Sequence, residues 1–580
     1  MRVLLLHPED QLPAARPDRA WDLVVDLGRA PVATYQRWSK EAGGRVISLY
    51  DFGGGFDDGQ QVRKLLQLGL GRWVDSLGVD WWDVLSLMIE SDLRQLMRIR
   101  LLAQELDAGC ELHTSRSSGL VKALQMLIGA HHVHVEKGVG PVRRWAQHYR
   151  DAFSRLDTGQ IRQVFQDKFD REHTVRRRFA RNRRVSGDAV VLLPSAYVNV
   201  SRTASSYAAL LPSQKFLMVY ARNSARLKNL PPNVGTASLD PYFMTPDAGE
   251  AAALEKTWES FKTYLVASAE EYSVANAVGM LDNIPRLLRW GTAVRDAWNQ
   301  VFKSENVVGC LCADDSNPYT RIPLILASNR GIPTVACHHG ALDSKMAVKV
   351  SRADTYIAKG EMERDYLLRS CGVGADRVML GGQGLPTGPG PVQAATQTRE
   401  AWLVFFTEPY EAAGWRSDEV YRDLLPELWL LAQSSGLKLV FKLHPFESVK
   451  GHRRILRKYL PQQEPEIMVI AGAPSAQLWS NTRCALTVQS TVALQCASLG
   501  IPVFLCYWLR DLTTGYVEQF SRFGVGNILE SAEELREIPR ILQEKARTEQ
   551  LRPAVWETMD PRKLRELLLQ TGSLSEAIKA

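Results

Sequence analysis

The sequence lacks most of the features that assign a protein to a familiar class. Its eight cysteines contain no Cys-x-x-Cys pair, a distribution typical of buried thiols in a reducing compartment and not of disulfides or zinc ligands. The first residues, MRVLLLHPED, lack the apolar core and cleavage site of a secretory signal, and no stretch reaches the roughly 18 apolar residues of a membrane span. We therefore expect a cytoplasmic protein.

Motifs for several kinds of nucleotide and metal chemistry are also missing. Neither Gly-x-Gly-x-x-Gly nor Gly-x-x-x-x-Gly-Lys-Ser/Thr occurs, which disfavours dinucleotide-binding and P-loop proteins. Asp-x-Asp, which would hold a phosphate through a metal ion, is absent as well. The adjacent His338 and His339 should have diverging side chains, with no third ligand near them at a recognisable spacing. We expect neither a metal nor a cofactor.

Composition and charge are those of a folded protein with a modest preference for anions. With 580 residues, 45% hydrophobic and 23% charged, the chain should form two large lobes or three smaller ones. The net charge is +7, and seven arginines lie between Arg171 and Arg184. This run is typical of the solvated face of a surface helix. The alternative is a basic helix resting on the anionic inner face of the plasma membrane, as in a peripheral membrane protein.

Short apolar runs alternate with helical patterns, which predicts a doubly wound parallel α/β fold. We predict an N-terminal domain over 1–385 with helical insertions at about 61–106 and 142–184, a linker over 386–400, and a C-terminal domain over 401–580. The alternative for the two helical stretches is a separate helical subdomain. The predicted strands are Val3–Leu6, Leu23–Val25, Val46–Leu49, Val133–Val135, Val190–Leu193, Phe216–Tyr220, Val307–Leu311, Thr334–Cys337, Thr355–Ala358, Trp402–Phe406, Leu439–Leu443, Ile467–Ile470, Cys484–Val488 and Val503–Cys506.

A repeated element favours two related domains. LILASNRGIPTVAC and VALQCASLGIPVFLC each predict a helix that ends at a glycine, turns through proline and enters a buried strand. The two copies lie in different halves of the chain, which favours paired Rossmann-like domains. Gly-Ile-Pro is also a common turn between a helix and a strand, so the repeat alone leaves the pairing open.

The predicted strand in KLVFKLHPFES ends in groups suited to a phosphate. Ligands of parallel sheets collect at the carboxyl ends of strands, where Lys442 and His444 would stand. Lysine supplies a point charge and histidine a further donor, while Pro445 ends the strand. Lys-x-His-Pro at the end of an apolar strand therefore indicates an anion site, although a His-Pro pair alone does not.

The next such strand runs into Ser490 and Thr491, which open an apolar helix. These two residues either cap the helix and do no more, or the free N–H groups of its first turn hold an anion. The second interpretation is favoured because a Lys-x-His-Pro strand precedes it in the same half of the chain. Together the two segments would grip a nucleotide phosphate.

Polar residues also follow two predicted strands of the N-terminal half. His338, His339 and Gly340 follow the strand ending at Cys337, and a histidine at that place suits a general base acting on a hydroxyl. A purely structural histidine is the alternative, for His338 above all. Asn199 and Arg202 follow the strand Val190–Leu193, where they either recognise hydroxyls or phosphate of a substrate or belong to a plain loop.

Several of these segments in order resemble the GT-B transferases of bacterial surface polysaccharides, namely HHG (338–340), ADTYIAKGE (353–361), RVMLGGQG (377–384), KLHP (442–445) and STVALQCASLGIPV (490–503). The sequence is similar to CDP-glycerol glycerophosphotransferases and to sialyl-, polysialyl- and Kdo-transferases with His-Pro and Ser-Ser/Thr motifs. The resemblance covers 305–510 and hardly touches the first 185 residues. It implies the GT-B fold, in which two Rossmann-like domains face a cleft.

The resemblance also implies roles for individual residues. Gln495 stands where many relatives carry a glutamate that binds the ribose hydroxyls, which leaves the choice of nucleotide open. The residues expected to bind the donor are Lys442, His444, Pro445, Glu447, Ser490, Thr491 and Gln495. The residues expected to act in catalysis are His339, His338 and Asp315, and those expected to bind the acceptor are Asn199, Arg202 and Glu361.

We therefore expect a metal-independent, inverting glycosyltransferase. A nucleotide sugar, with a CMP-sugar favoured, would be its co-substrate, and a hydroxyl of a cell-surface polysaccharide or lipid-linked glycan its acceptor. One alternative is an isomerase resembling the UDP-GlcNAc 2-epimerases, which have the same twin domains. A second is a non-enzymatic membrane or nucleic-acid adaptor that uses Arg171–Arg184. Nucleic acid is not an expected partner, because only Phe179 interleaves the arginines and no binding motif occurs.

Overall fold

The computed structural model describes most of the chain, and every statement below concerns that part. The residues described are 1–7, 20–28, 38–42, 45–49, 52, 56–130, 133–135, 187–244, 248–340, 342, 344–384, 400–408, 417–444, 447–509, 516–546 and 555–569. The predicted insertion at 142–184, with its arginine run, lies outside them. Of the described helices, none combines the length and apolar character needed to cross a bilayer. All eight cysteines are buried with free thiols, as expected.

The first sheet is parallel and has the order β3-β2-β1-β4-β5. Asp80 begins the long helix of this region by accepting hydrogen bonds from two backbone N–H groups, and Gly129 ends the last one in a left-handed conformation with φ 66°. The strands are β1 (Arg2–Leu6), β2 (Leu23–Asp26), β3 (Arg45–Ser48), β4 (Glu111–Thr114) and β5 (Val133–Val135). The helices are α1 (Phe56–Leu68), α2 (Trp81–Gln104) and α3 (Gly119–Ile128).

The middle sheet, also parallel, has the order β12-β11-β10-β9-β6-β7-β8. Its central strands are buried on both faces, which explains their continuous apolar sequences. The strands are β6 (Val190–Ser195), β7 (Phe216–Tyr220), β8 (Val234–Ser238), β9 (Val307–Cys312), β10 (Thr334–Ala336), β11 (Thr355–Ala358) and β12 (Val378–Leu380). The helices are α4 (Val198–Ala209), α5 (Ala248–Ser268), α6 (Glu270–Ala277), α7 (Ile284–Ser304), α8 (Pro318–Ser328), α9 (Ser344–Val348) and α10 (Glu361–Arg369).

One hydrophobic core joins the first two sheets. It contains side chains of both sheets and of helices α2, α5, α6 and α7. Aromatic rings fill its centre: Trp73 lies 5.2 Å from Trp258 between ring centroids, and Trp82 lies 5.4 Å from Phe261. The stretch predicted as one N-terminal Rossmann-like domain therefore contains two parallel sheets that share a helical layer.

The third sheet has the order β15-β14-β13-β16-β17-β18, again parallel. Its interior holds a separate core on each face. The strands are β13 (Trp402–Phe406), β14 (Lys438–Lys442), β15 (Met468–Ile470), β16 (Thr482–Thr487), β17 (Val503–Cys506) and β18 (Asn527–Leu529). The helices are α11 (Ser417–Ser434), α12 (Val449–Tyr459), α13 (Ala476–Asn481), α14 (Val492–Ser498), α15 (Tyr516–Arg522) and α16 (Ile538–Ala546).

The last described segment, 555–569, returns to the middle sheet. Met559 N–H donates to the carbonyl of Gly382 at 2.8 Å, and the helix α17 (Pro561–Leu569) buries Leu564 and Leu568 in the core of that sheet. From the sequence, this segment was expected to belong to the C-terminal domain. The structure corrects that assignment, because the two leucines lie on one face of α17 and that face covers the middle sheet.

The strand orders locate the places where ligands bind. In the middle sheet the order reverses between β6 and β9, and in the third sheet it reverses between β13 and β16. In open parallel sheets, ligands bind outside the carboxyl ends of the strands at this switch point. The first sheet also reverses its order, between β1 and β4. The predicted α/β fold with Rossmann-like domains is confirmed.

Candidate active site

The switch point of the middle sheet brings a tyrosine and an aspartate together. Tyr197 follows β6 and Asp314 follows the neighbouring β9. The Tyr197 hydroxyl donates to Asp314 Oδ2, while the N–H and hydroxyl of Ser316 donate to Oδ1 at 2.8 and 2.5 Å. Burial alone would raise the pKa of Asp314, but the nearby His338 and His339 and these hydrogen bonds hold it well below its ordinary value. Asp314 is therefore a carboxylate at neutral pH.

The two predicted histidines follow β10, which is the next strand of the same sheet. Their ring centroids are 4.6 Å apart. His338 is 6% exposed, and its Nδ1 accepts a hydrogen bond from the N–H of Gly340 at 3.3 Å. His339 meets the ring of Tyr197 edge to face, and its Nδ1 lies 3.4 Å from the Tyr197 hydroxyl. The ends of β6, β9 and β10 thus form one polar cluster.

The electrostatic surroundings keep His339 neutral. Burial and the neighbouring His338 lower its pKa to about 3, Lys359 and His444 act in the same direction, and Asp314 opposes them. His444 belongs to the third sheet, so its influence on His339 reflects the closeness of the two carboxyl edges. At physiological pH the His339 imidazole has a free lone pair.

Asp314, His338 and His339 also form a set that could hold a metal ion. One ligand atom from each lies within 4.8 Å of the others. No third ligand lies near the histidines at a recognisable sequence spacing, because Asp314 follows a different strand and is close to them only in space. Existing hydrogen bonds oppose a cation here. The N–H of Gly340 occupies the ring lone pair of neutral His338, and four donors from Tyr197, Ser316 and Asn317 occupy Asp314.

Asp315, the carboxylate chosen from the sequence, lies elsewhere. Its side chain is fully buried, pairs with Lys349, and lies 3.6 Å from Arg321 Nη1. Arg321 in turn binds Asp83 of α2 at 2.6 Å. Asp315 therefore ties the helical layer to the middle sheet, and the structure corrects the choice of aspartate to Asp314. The segment LCADDSNP offers both aspartates, and the sequence alone does not say which one faces the histidines.

In the AKGE segment, the residue that supports the cluster is Lys359 and not Glu361. Glu361 begins α10 and pairs with Arg364 at 3.1 Å, with both side chains substantially exposed. The buried Lys359 ammonium donates to Glu363 Oε1 at 2.6 Å and to the carbonyl of Gly340 at 2.8 Å. Lys359 therefore fixes the loop that carries the histidines.

At the switch point of the third sheet, two loops are tied to the end of β13. The N–H of His444 donates to Thr407 Oγ1 at 2.9 Å, and the N–H of Gln489 donates to Glu408 Oε1 at 2.7 Å. Because Thr407 and Glu408 are consecutive, the loops after β14 and β16 are held at one point. His444 and Ser490 thus share one edge of the sheet. Neither Thr407 nor Glu408 was chosen from the sequence, because FFTEPY contains no motif.

Cationic groups gather at this edge. Burial, then the charge of Arg202, lowers the pKa of Lys442 to about 8. Burial, then Lys442 and Arg202, lowers the pKa of His444 to about 4. An anion placed among these groups would favour their charged forms. Arg202 is exposed on α4 of the middle sheet, so this acceptor-side candidate contributes its charge to the donor-side candidates.

Two other predicted residues of the loop after β14 have different positions. Burial raises the pKa of Glu447 to about 7, against hydrogen bonds from the Thr407 hydroxyl and the N–H of His444. Glu447 therefore shapes the loop through its Oε2 atom. Pro445 lies outside the described residues.

The remaining candidates lie at helix beginnings. Ser490 and Thr491 precede α14, and the Oγ of Ser490 accepts from the N–H of Val492 at 3.4 Å, a local capping contact. Gln495 is half-buried in the same helix. Asn199 is half-buried in the first turn of α4, one turn before Arg202.

The two sheet edges meet at the histidine loop. A Cβ atom on Gly340 would lie 3.6 Å from the methyl carbon of Thr491. Gln519 Nε2 of α15 donates to the carbonyl of Leu342 at 3.1 Å. These contacts place the polar cluster of the middle sheet opposite the cationic edge of the third sheet.

Comparisons with known proteins found likeness only among solved structures. No family model matches the chain, and no curated protein matches it. The UDP-GlcNAc 2-epimerase from Methanocaldococcus jannaschii shows 14% identity and a TM-score of 0.41, covering 65% of this chain and 98% of that chain. A glycosyltransferase from Rickettsia africae ESF-5 shows 11% identity and a TM-score of 0.36, covering 68% of this chain and 96% of that chain.

The calicheamicin glycosyltransferase CalG4 shows 12% identity and a TM-score of 0.37, covering 68% of this chain and 97% of that chain. Likeness at this level concerns backbone architecture only. The assignment of the fold therefore rests on the parallel pairing and the strand orders of the three sheets.

Proposed function

We propose that this chain is a glycosyltransferase. It would move a sugar from a nucleotide-activated donor, with a CMP-sugar favoured, to a hydroxyl of a cell-surface polysaccharide or a lipid-linked glycan. The observation that carries the proposal is the meeting of two switch points. A neutral histidine at one carboxyl edge lies close to the cationic edge of the other sheet, which suits the transfer of a group from a phosphate to a hydroxyl.

The donor phosphate would bind at the edge of the third sheet. Lys442 and Arg202 supply positive charge, and His444 supplies an N–H donor even when its imidazole is neutral. Placement of such donors where charge develops on the leaving phosphate lowers the barrier to transfer. Thr407 and Glu408 would hold the two loops in position before the donor arrives.

The acceptor hydroxyl would bind at the edge of the middle sheet. His339 takes the proton of this hydroxyl, and the oxygen forms a bond to the anomeric carbon of the donor. The bond from that carbon to the phosphate oxygen breaks, and its electron pair leaves with the phosphate. The single base and direct attack make inversion at the anomeric carbon part of the proposal. Metal independence is also part of it, because protein cations meet the leaving charge.

The first test is a thermal-shift panel with CMP, CDP, UDP, UMP and GDP on the purified full chain, because a ligand stabilises the state that it binds. We expect one class of nucleotide to raise the melting temperature, also in the presence of EDTA. No shift with any nucleotide, or a shift that EDTA abolishes, contradicts the proposal.

Two variants localise the nucleotide. His444→Ala removes a donor to a charged group, so we expect the dissociation constant to rise about 10- to 100-fold. Lys450→Ala is the matched control, because this lysine is exposed on α12 in the same sheet unit. Equal binding by the two variants would place the nucleotide elsewhere.

Turnover separates the proposed reaction from its rivals. His339→Ala should retain nucleotide binding and lose transfer, and NMR of the product should show inversion. Interconversion of a nucleotide sugar in the absence of any acceptor would indicate an epimerase. A salt-dependent shift of DNA without nucleotide binding would indicate an adaptor.

A further inference from the structure

Of the two adjacent histidines, only one is arranged to act as a base. We propose that Tyr197 and Asp314 are positioning residues that hold His339 with its proton on Nδ1, so that the Nε2 lone pair receives the acceptor's proton. The hydrogen bonds themselves lead to this arrangement. Its catalytic meaning rests on the proposed function, but the arrangement is measurable without it.

The direction of the hydrogen bonds begins at Asp314. This side chain is 2% exposed, and as a carboxylate it has no proton to donate. Its Oδ1 already accepts from the N–H and hydroxyl of Ser316 at 2.8 and 2.5 Å. The bond between Asp314 Oδ2 and Tyr197 must therefore use the hydrogen of the Tyr197 hydroxyl.

That donation determines the tautomer of His339. With its only hydrogen directed to Asp314, the Tyr197 oxygen can act towards His339 only as an acceptor. His339 Nδ1 lies 3.4 Å from this oxygen, so Nδ1 carries the proton when the two groups are bonded. The lone pair of the neutral ring is then on Nε2.

His338 has the opposite arrangement. Its Nδ1 accepts from the N–H of Gly340 at 3.3 Å, so its proton lies on Nε2 in the neutral form. The only ring lone pair of His338, on Nδ1, accepts from the backbone N–H of Gly340. The lone pair of His339 is on Nε2, which is not the atom that contacts Tyr197. The geometry therefore distinguishes two residues that the sequence leaves equivalent.

The proposed step transfers one proton from the acceptor hydroxyl to His339. The acceptor O–H bond breaks, the proton joins Nε2 of His339, and the ring becomes an imidazolium with a proton on each nitrogen. Its new charge is stabilised by the Asp314 carboxylate through the Tyr197 hydroxyl, and no further proton has to move. Other ionisable groups around the ring are His338, Lys359 and His444.

The test is NMR on full-length protein labelled with ¹⁵N at histidine. Long-range ¹H–¹⁵N correlations report which ring nitrogen carries the proton, and His339→Gln identifies the signals. In the unmodified protein we expect His339 neutral at pH 7 with the proton on Nδ1. In Tyr197→Phe the acceptor is gone, and the proton should move to Nε2, the form that a free neutral imidazole prefers.

Tyr207→Phe is the matched control, because Tyr207 is buried in the same sheet unit but donates to the carbonyl of Gly381 at 2.9 Å. An unchanged His339 tautomer in Tyr197→Phe, or the same change in the control, overturns the proposal. If Tyr197→Phe fails to fold, Asp314→Asn decides: it should mix the two tautomers, and a pure Nδ1–H form overturns the proposal.

Two further measurements exclude other roles for the cluster. Stoichiometric binding of Zn²⁺ or Mn²⁺ that is lost in His338→Gln would make the cluster a metal site and overturn the proposal. Once a donor is known, Tyr197→Phe should lower kcat at least about 10-fold while the donor KM stays unchanged. If no transfer is found at all, the proposed function fails while the tautomer result still stands.

Discussion

Burial, and then nearby positive charge, lowers the pKa values of Lys442 and His444 at the end of β14. The pKa of His444 lies at about 4 and that of Lys442 at about 8, and in both cases Arg202 contributes to the lowering. A bound anion would stabilise the protonated, positively charged form of each of these side chains. Ligand binding at this site should therefore be coupled to proton uptake.

We predict that binding of the preferred nucleotide raises the pKa of His444 towards neutrality. Burial, then repulsion from Lys442 and Arg202, keeps the imidazole neutral in the free protein, and the phosphate would offset the repulsion. Histidine ring shifts measured by NMR between pH 4 and 8, with and without CMP, will report this change. His452 is the internal control, because it is a buried residue of α12 and should keep its pKa in both states.

At the level of single residues, the sequence predicted the histidines and the Lys-x-His-Pro segment, because each follows an apolar strand. It failed to separate Asp314 from Asp315, since neighbouring residues differ only in which way they point once the loop is folded. Tyr197 and Lys359 lie in segments that were singled out from the sequence, but their roles depend on contacts between distant positions. Tyr197 contacts Asp314, 117 positions away, and Lys359 contacts Gly340, 19 positions away.

Among the structural elements, the end of β13 links the two loops of the donor side. Thr407 receives the N–H of His444, and its hydroxyl donates to Glu447. Glu408 receives the N–H of Gln489 and lies 3.2 Å from the Thr487 hydroxyl. These side chains set the position of both loops without belonging to either.

We predict that Thr407→Val lowers stability by about 1 to 3 kcal/mol, because it removes the hydrogen bond from the His444 N–H to Thr407 and the one from the Thr407 hydroxyl to Glu447. Nucleotide binding should weaken too, although Thr407 would not touch the ligand. Thermal unfolding and nucleotide titration will check both effects. Thr263→Val is the control, since that hydroxyl is exposed on α5 and bonds only to its own helix. Unchanged nucleotide affinity in Thr407→Val would contradict the role given to β13.

Every strand predicted from the sequence corresponds to a strand of the structure. The four that were missed are β4, β8, β12 and β18. Three of these lie at sheet edges: β8 and β18 contain polar residues or glycine, and β12 is an apolar run of only three residues. The fourth, β4, has the sequence ELHT, in which a buried histidine and a threonine replace the usual aliphatic residues. Apolar runs in the sequence predict the central strands. The other strands are recognised only from their pairing with an adjacent strand in the folded sheet.

On the scale of the whole molecule, buried histidines couple stability to pH. Burial, then the charge of Arg453, lowers the pKa of His452 to about 3, and its ring packs 4.9 Å from the ring of Tyr421. The folded state prefers the neutral ring, whereas the unfolded chain takes up a proton near pH 6.5. Stability from this group is therefore present above pH 6.5 and is lost as the pH falls towards 3.

We predict that the difference in free energy of unfolding between the unmodified chain and His452→Gln changes by about 2 kcal/mol between pH 7.5 and pH 5. The variant lacks the titrating group, so the chain with His452 should lose more stability on acidification. Urea unfolding at pH 7.5, 6 and 5 measures the difference, from which all other groups cancel. A difference that does not vary with pH would contradict the assignment.

The division of the molecule into units is the part that the sequence predicted least well. Residues 1–385 were expected to form one Rossmann-like domain, yet they contain two sheets joined by a layer rich in tryptophan. Helices α5 to α7 supply much of this layer, and their apolar faces do not reveal which sheet they cover. The boundary between structural units depends on which distant parts of the chain pack together, and the sequence pattern of a single helix does not show this.

The return of 555–569 to the middle sheet has a consequence for protein synthesis. Strand β12 of that sheet ends at Leu380, whereas Leu564 and Leu568 complete its core. At ribosomal rates of about 5 to 20 residues per second, the intervening chain takes roughly 10 to 40 s to emerge. During this interval the apolar face of the middle sheet that α17 covers in the complete protein stays exposed on the nascent chain. This exposed face is a surface to which chaperones would bind.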